Sequence, residues 1–66
     1  MSTHNKMTRN QAYKILKKAH PEATNIALNE FGLWDVDIED AFEITTLTYK
    51  VEGTRLRFIG ETVVEQ

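Results

Sequence analysis

The chain of 66 residues contains no cysteine, so it has neither a disulfide nor a thiolate metal site. Its three glycines are scattered and form no glycine-rich phosphate-binding loop. No apolar run approaches the ~18 residues of a membrane span, and the first residues lack the apolar stretch of a signal peptide. We therefore expect a cytoplasmic protein without a membrane segment.

Residues that carry catalysis are also scarce. Ser2 is the only serine, and both it and His4 fall in a polar N-terminal segment, predicted to be a flexible tail over 1–7. His20 precedes Pro21 at a predicted helix end, where an imidazole interacts favourably with the helix carbonyls. The acidic residues lack the glycine and the ligand spacing of a calcium-binding loop. We predict a protein that is not an enzyme and has no metal site or cofactor.

Hydrophobic residues make up 41% of the chain and charged residues 27%, as is usual for a globular protein. We expect one small domain over residues 1–66. A chain of this size buries only about 60% of the surface that it exposes when unfolded, so its stability is marginal. A partner or a second copy would add to so small a core.

Charge is sorted along the chain. Residues 1–20 contain five basic side chains and no acid, whereas residues 21–44 contain seven acids and no base. Residues 45–66 contain three of each, which gives the net charge of −2. The small net charge thus hides two opposite fields, which bear on the choice of partner and on association rates.

The first predicted element is a helix over 8–19. Thr8 and Gln11 have the spacing of a capping box, in which each side chain accepts a hydrogen bond from the backbone amide of the other residue. Apolar residues then recur at helical spacing, namely Ala12, Ile15, Leu16 and Ala19. His20-Pro21 ends the helix because the residue before proline avoids helical dihedral angles.

A second helix is predicted over 22–31. Pro21 and Glu22 suit its first turn, and Gly32 suits the left-handed position after its end. One side of it would be apolar, with Ala23, Ile26, Ala27 and Phe31. The two helices would form a helical hairpin.

Residues 34–43 fit two structures. Trp34, Val36 and Ile38 alternate with acidic residues, as in a strand. Asp37 also suits the cap of a short helix over 37–43, whose apolar side would contain Ile38, Ala41 and Phe42. The short helix is the preferred interpretation, and the strand stays open.

Residues 44–59 predict a β-hairpin. Residues 44–51 are rich in β-branched and aromatic types, and Glu52-Gly53 fits a two-residue turn. This turn would place Lys50 opposite Arg55 and Leu47 opposite Phe58. An apolar face would contain Leu47, Tyr49, Val51, Leu56 and Phe58, and an outer face Thr46, Thr48, Lys50, Arg55 and Arg57. The like charges of Lys50 and Arg55 would be relieved by a nearby anion, either external or within segment 35–43, or by two long side chains that splay apart in solvent.

The predicted fold is therefore α+β, with an N-terminal helical hairpin packed on a C-terminal antiparallel β-hairpin or three-stranded sheet. Thr62, Val63 and Val64 would supply the third strand. The helices would pack on the apolar hairpin face through Ile15, Leu16, Ile26, Phe31 and Phe42.

The leading functional hypothesis is a regulatory or accessory module that binds a basic surface of a protein partner. Its acidic-aromatic segment 34–43 mixes charge for steering with apolar area for affinity, with Trp34 as the apolar anchor. The binding residues would be Trp34, Asp35, Asp37, Glu39, Asp40 and Glu43. Small size and segregated charge would suit an accessory or regulatory protein such as those made by phages and mobile elements.

The alternative hypothesis is nucleic-acid binding through the basic face of helix 8–19 and the outer face of hairpin 44–59. The residues would be Lys14, Lys17, Lys18, Lys50, Arg55 and Arg57, which suit phosphate contacts. Against it, the sequence pI is about 5.6 and the predicted second helix has no basic residue. A third hypothesis is self-association as a homo-oligomer through a sheet edge.

Overall fold

The computed structural model describes residues 6–66, and there it shows one helix followed by a four-stranded antiparallel sheet. The strands are adjacent in the order β1-β2-β3-β4, which is a simple meander. The elements are α1 (Arg9–Ala19), β1 (Asn25–Leu28), β2 (Trp34–Glu39), β3 (Glu43–Glu52) and β4 (Arg55–Glu65). The α+β class with a helix before the sheet is confirmed. Most of the predicted tail, with Ser2 and His4, lies outside the described residues.

Helix α1 begins and ends as its sequence predicts. The Thr8 hydroxyl accepts a hydrogen bond from the Gln11 amide at 3.2 Å, and the Gln11 side-chain oxygen accepts one from the Thr8 amide at 2.9 Å. This capping box satisfies two amides at the helix start. At the other end, the His20 amide donates to the Leu16 carbonyl at 2.8 Å, and the chain then leaves helical geometry.

The predicted second helix over 22–31 is wrong, because this segment contains strand β1 and part of the loop that follows it. Asn29 determines the loop: its side-chain oxygen accepts hydrogen bonds from the amides of Phe31 (2.8 Å) and Leu33 (3.0 Å). Gly32 has a φ of +79°, which glycine adopts without steric cost. Asparagine that bonds the backbone in this way favours a turn over a helix interior.

The short helix over 37–43 is also wrong, and the strand alternation at 34–39 is right. Strand β2 ends at Glu39, and Asp40 starts the loop to β3. Its carboxylate accepts hydrogen bonds from the amides of Phe42 (2.7 Å) and Glu43 (2.9 Å). Aspartate therefore caps a turn here, in the same way as Asn29 does in the preceding loop.

The β3–β4 hairpin turns at Gly53-Thr54, one residue later than predicted. Glu52 pairs with Arg55, and Gly53 has a φ of +66°, as the first central residue of a type II′ turn requires. The partner of each β3 residue near the turn is thus displaced by two positions along β4. Because two is an even number, each side chain still lies on the predicted face.

Strand β4 is also longer than predicted and continues past Gly60 to Glu65. Tyr49 pairs with Phe58, but Thr48 pairs with Gly60, so Ile59 is the extra residue of a β-bulge. The bulge changes the alternation of β4, so that Val63 pairs with Thr45. Leu47 therefore lies opposite Glu61 and not opposite Phe58.

Helix α1 packs on part of one face of the sheet, which we call the covered face. Its buried core contains Ala12, Leu16, Trp34 and Val36. Partly buried residues surround them, namely Met7, Ala23, Ile26, Leu28, Ile38, Leu47, Tyr49, Val51 and Leu56. Four residues predicted to be in the core are exposed instead, namely Ile15, Phe31, Phe42 and Phe58. Phe31 and Phe42 are exposed because they belong to loops and not to helices.

Candidate interaction surface on the open face of the sheet

The other face of the sheet, which we call the open face, has no described element packed on it. Its side chains follow from the strand register, because directly paired residues share a face. Strand β2 contributes three acids, and β3 contributes an apolar residue, two threonines and a charged pair. The open-face residues, from β1 to β4, are Asn25 and Ala27; Asp35, Asp37 and Glu39; Ile44, Thr46, Thr48, Lys50 and Glu52; and Arg55, Arg57, Thr62 and Val64.

The carboxylates of β2 form a row, and hydrogen bonds hold the first two of them in place. Thr46 donates to Asp37 at 2.8 Å, and Thr48 donates to Asp35 at 3.1 Å. Asn29 donates to the second Asp35 oxygen at 3.2 Å, so this carboxylate also supports the β1–β2 loop. Residues two apart on a strand are spaced by about 7 Å, so the row is a regular line of negative charge.

Asp40 extends the acidic surface past the end of β2. The amides of Phe42 and Glu43 donate to its carboxylate, and these hydrogen bonds hold its pKa below the usual value near 3.8. A carboxyl with a lowered pKa in the folded state stabilises the fold above its ordinary pKa. That stabilisation is lost as the pH falls below the ordinary value and through the lower folded-state pKa.

Replacing Asp40 with asparagine tests this contribution. Asparagine keeps the accepting oxygen of the turn but does not titrate, so the variant is expected to lose less stability than the wild type as the pH falls below about 4. Urea unfolding followed at several pH values measures the difference. Equal acid sensitivity of the two proteins would show that the Asp40 carboxylate has the same pKa when folded and unfolded.

The structure places the predicted partner-binding residues in three separate locations. Asp35, Asp37 and Glu39 lie together on the open face, with Asp40 in the adjacent loop. Glu43 pairs with Glu65 at the far end of the sheet and is directed to the covered face. Trp34 is 6% exposed in the core, so its indole is not available as an anchor.

The sequence did not predict Ile44 and Val64, two apolar residues of the open face, as part of the site. Ile44 pairs with both Glu39 and Val64, so an apolar patch lies directly beside the end of the acidic row. Phe42 is 79% exposed in the loop next to it. The sequence could have identified Ile44, because it precedes Thr46 by two residues and Thr48 by four on one strand and therefore shares their face.

The predicted basic residues do not form one surface. Ala12 and Leu16 pack on the covered face, which leaves the lysines of α1 on the outside of the helix, whereas the hairpin cations lie on the open face. Lys50 is opposite Arg57 and not Arg55. Arg57 bonds Glu52 at 3.1 Å, so the anion beside this like-charge pair comes from the hairpin itself.

His20 links the end of α1 to the sheet. Its Nε2 and the Tyr49 hydroxyl are 2.9 Å apart, and its Nδ1 is 3.8 Å from a Glu22 oxygen. The Tyr49 ring meets Phe58 edge-on, with ring centroids 5.6 Å apart. The imidazole therefore bonds a tyrosine across the structure and not the helix carbonyls.

The described residues offer little for a small ligand. A shallow open pocket of about 260 Å³ lies between the start of α1 and the sheet, beside Arg9, Leu28 and Trp34. Within residues 6–66, no group of three His, Asp or Glu side chains is arranged to hold a metal ion. No helix in that range is long and apolar enough to cross a membrane.

Comparison with protein-family models, with curated proteins and with solved structures found no match to this chain.

Proposed function

We propose that this protein is a small non-catalytic interaction module whose open face binds a basic surface of a protein partner. The observation that carries the proposal is the row of Asp35, Asp37 and Glu39 beside the apolar patch of Ile44 and Val64. No described element of the chain covers this combination.

The two parts of the surface have different roles. The carboxylate row attracts a cationic surface over long distance and raises the association rate. The apolar patch, with the exposed Phe42 next to it, supplies the contact area that is removed from water on binding. Trp34 has no contact role in this proposal, since it belongs to the core.

Reversing two charges of the row tests the proposal. The variant Asp37→Lys/Glu39→Lys is expected to bind its partner at least tenfold more slowly at low salt and with a weaker dependence on salt. Asp35 is left unchanged because it supports the loop through Asn29. The partner is obtained by capture with the tagged wild-type protein, and association rates are then measured with both components purified.

The matched control is Glu22→Lys/Glu30→Lys, which changes the net charge by the same amount at exposed positions outside the sheet. It is expected to keep most of the association rate. If the two double variants bind equally slowly, only the net charge matters and the open face is not the binding surface. If both bind like the wild type, the carboxylate row has no role.

The same protein is titrated against DNA and RNA at about 50 mM salt. Affinity that falls steeply with salt and is lost on Lys14→Glu/Lys18→Glu would favour the nucleic-acid alternative. We do not expect it, because the basic residues of α1 and of the hairpin lie on opposite sides of the sheet.

A further inference from the structure

Helix α1 lies over only one end of the sheet. It starts beside the β3–β4 turn, where the Met7 amide donates to the Gly53 carbonyl at 2.8 Å, and its C-terminal cap His20 bonds Tyr49. The eleven residues of the helix span about 16 Å, whereas the eleven residues of β4 span about 36 Å. The part of the sheet farther from the turn therefore extends beyond the helix. We call this part the distal end, and it contains residues 38–47 and 60–66.

Both faces of the distal end expose apolar side chains. The adjacent residues Val63 and Val64 are directed to the covered and the open face, and they are 47% and 56% exposed. Phe42 is exposed in the loop at the tip, and every residue from 61 to 66 is exposed. A flat partner surface resting on the open face would leave Val63 in water. The apolar area of both faces is removed from water only if a partner contacts both.

The charges of the distal end all have the same sign, since it contains five acids and no basic residue. Glu39 lies on the open face, Asp40 lies in the loop, and the covered face carries Glu43, Glu61 and Glu65. Glu43 pairs directly with Glu65, and like charges opposite each other destabilise a sheet. Within residues 6–66 neither glutamate forms an ion pair, so a cation from a partner would relieve this repulsion.

We infer that the distal end inserts into a basic cleft of the protein partner, so that the two walls of the cleft contact the two faces of the sheet. This inference rests on the proposed function and extends its binding surface to the end of the covered face. One wall meets the acidic row of the open face, and the other places cations beside Glu43 and Glu65. A second copy does not fit as the occupant, because packing through the same end would bring acids next to acids.

Val63 and Val64 report separately on the two faces. The valine methyl groups of the wild-type protein are labelled with carbon-13, and their NMR signals are followed while the partner, purified by capture on the tagged protein, is added. A cleft is expected to shift the signals of both residues and to leave those of Val51, near the turn, unchanged. Shifts of Val64 alone would overturn the cleft and leave the proposed function intact.

The other outcomes of this titration are equally distinct. Shifts of Val63 alone would overturn both the cleft and the proposed open-face surface, and so would the capture of no protein or the absence of any shift. Val63 signals that move with the concentration of this protein alone would identify a second copy as the occupant and overturn the cleft.

Charge reversal on the covered face gives a second test. Glu61→Lys/Glu65→Lys is expected to slow association about tenfold at low salt, as the open-face double variant does, and circular dichroism verifies that it is folded. Glu65→Gln removes one charge of the like pair, so it is expected to raise the melting temperature and yet to weaken binding. Association of the covered-face variant at the wild-type rate would overturn the cleft, even if the open-face variant binds slowly.

Discussion

Replacing Leu16 with alanine is expected to lower the melting temperature by about 12–24 °C. Leu16 is 2% exposed and packs against the sheet together with Ala12. Leu→Ala changes in cores cost about 3 kcal/mol or more, and 1 kcal/mol is worth about 4–8 °C in a domain of this size. Among residues 6–66 only four residues are buried, so little else compensates for the loss.

The preceding residue supplies the control. Ile15 has a side chain of similar volume in the same helix but is 47% exposed. Ile15→Ala is therefore expected to cost less than about 1 kcal/mol. Thermal unfolding followed by circular dichroism compares the two variants. Equal losses would mean that α1 does not pack on the sheet through the side that contains Leu16.

The parts of the fold that short-range interactions determine were predictable from the sequence. The capping box of Thr8 and Gln11 and the proline after His20 define α1 without help from the rest of the chain. The faces of the β3–β4 hairpin were also predictable, even though the turn lies at Gly53-Thr54. The predicted register differs from the observed one by two positions. Because side chains alternate between the two faces of a sheet, an even displacement leaves each side chain on its predicted face.

The second helix could not be distinguished from a strand by periodicity alone. Ile26 and Leu28 alternate as in a strand, and Ile26 also fits the helical spacing with Ala23 and Ala27. In so short a segment the outcome depends on partners distant in sequence, because Ile26 and Leu28 pair with β2. The one local signal that decided against a helix was Asn29, which bonds the amides of its own loop.

The same ambiguity affected the candidate site. With a helix over 37–43, Trp34 precedes the helix and would belong to the same binding surface as the acids. In a strand, successive side chains lie on opposite faces, so Trp34 and Asp35 are separated. The acidic row of the site was therefore predictable from the sequence, but Trp34 does not lie beside it. The apolar neighbours of the row are Ile44 and Val64, which belong to the next two strands of the sheet.

Replacing Trp34 with alanine is expected to cost about 3–5 kcal/mol, enough to unfold much of the protein at 25 °C. The indole is 6% exposed in the core that Leu16 and Val36 share. Chemical unfolding followed by circular dichroism measures the loss. Phe42→Ala removes an aromatic ring that is 79% exposed and is expected to cost less than about 1 kcal/mol.

Trp34 also reports on the partner complex, since it is the only tryptophan of the chain. A partner bound to the open face lies across the sheet from the indole, so binding is expected to leave its buried, blue-shifted fluorescence unchanged. Phe42→Ala, in contrast, is expected to weaken binding while stability is kept. A large change in tryptophan emission on binding, with no effect of Phe42→Ala, would place the partner on the covered face and contradict the proposed surface.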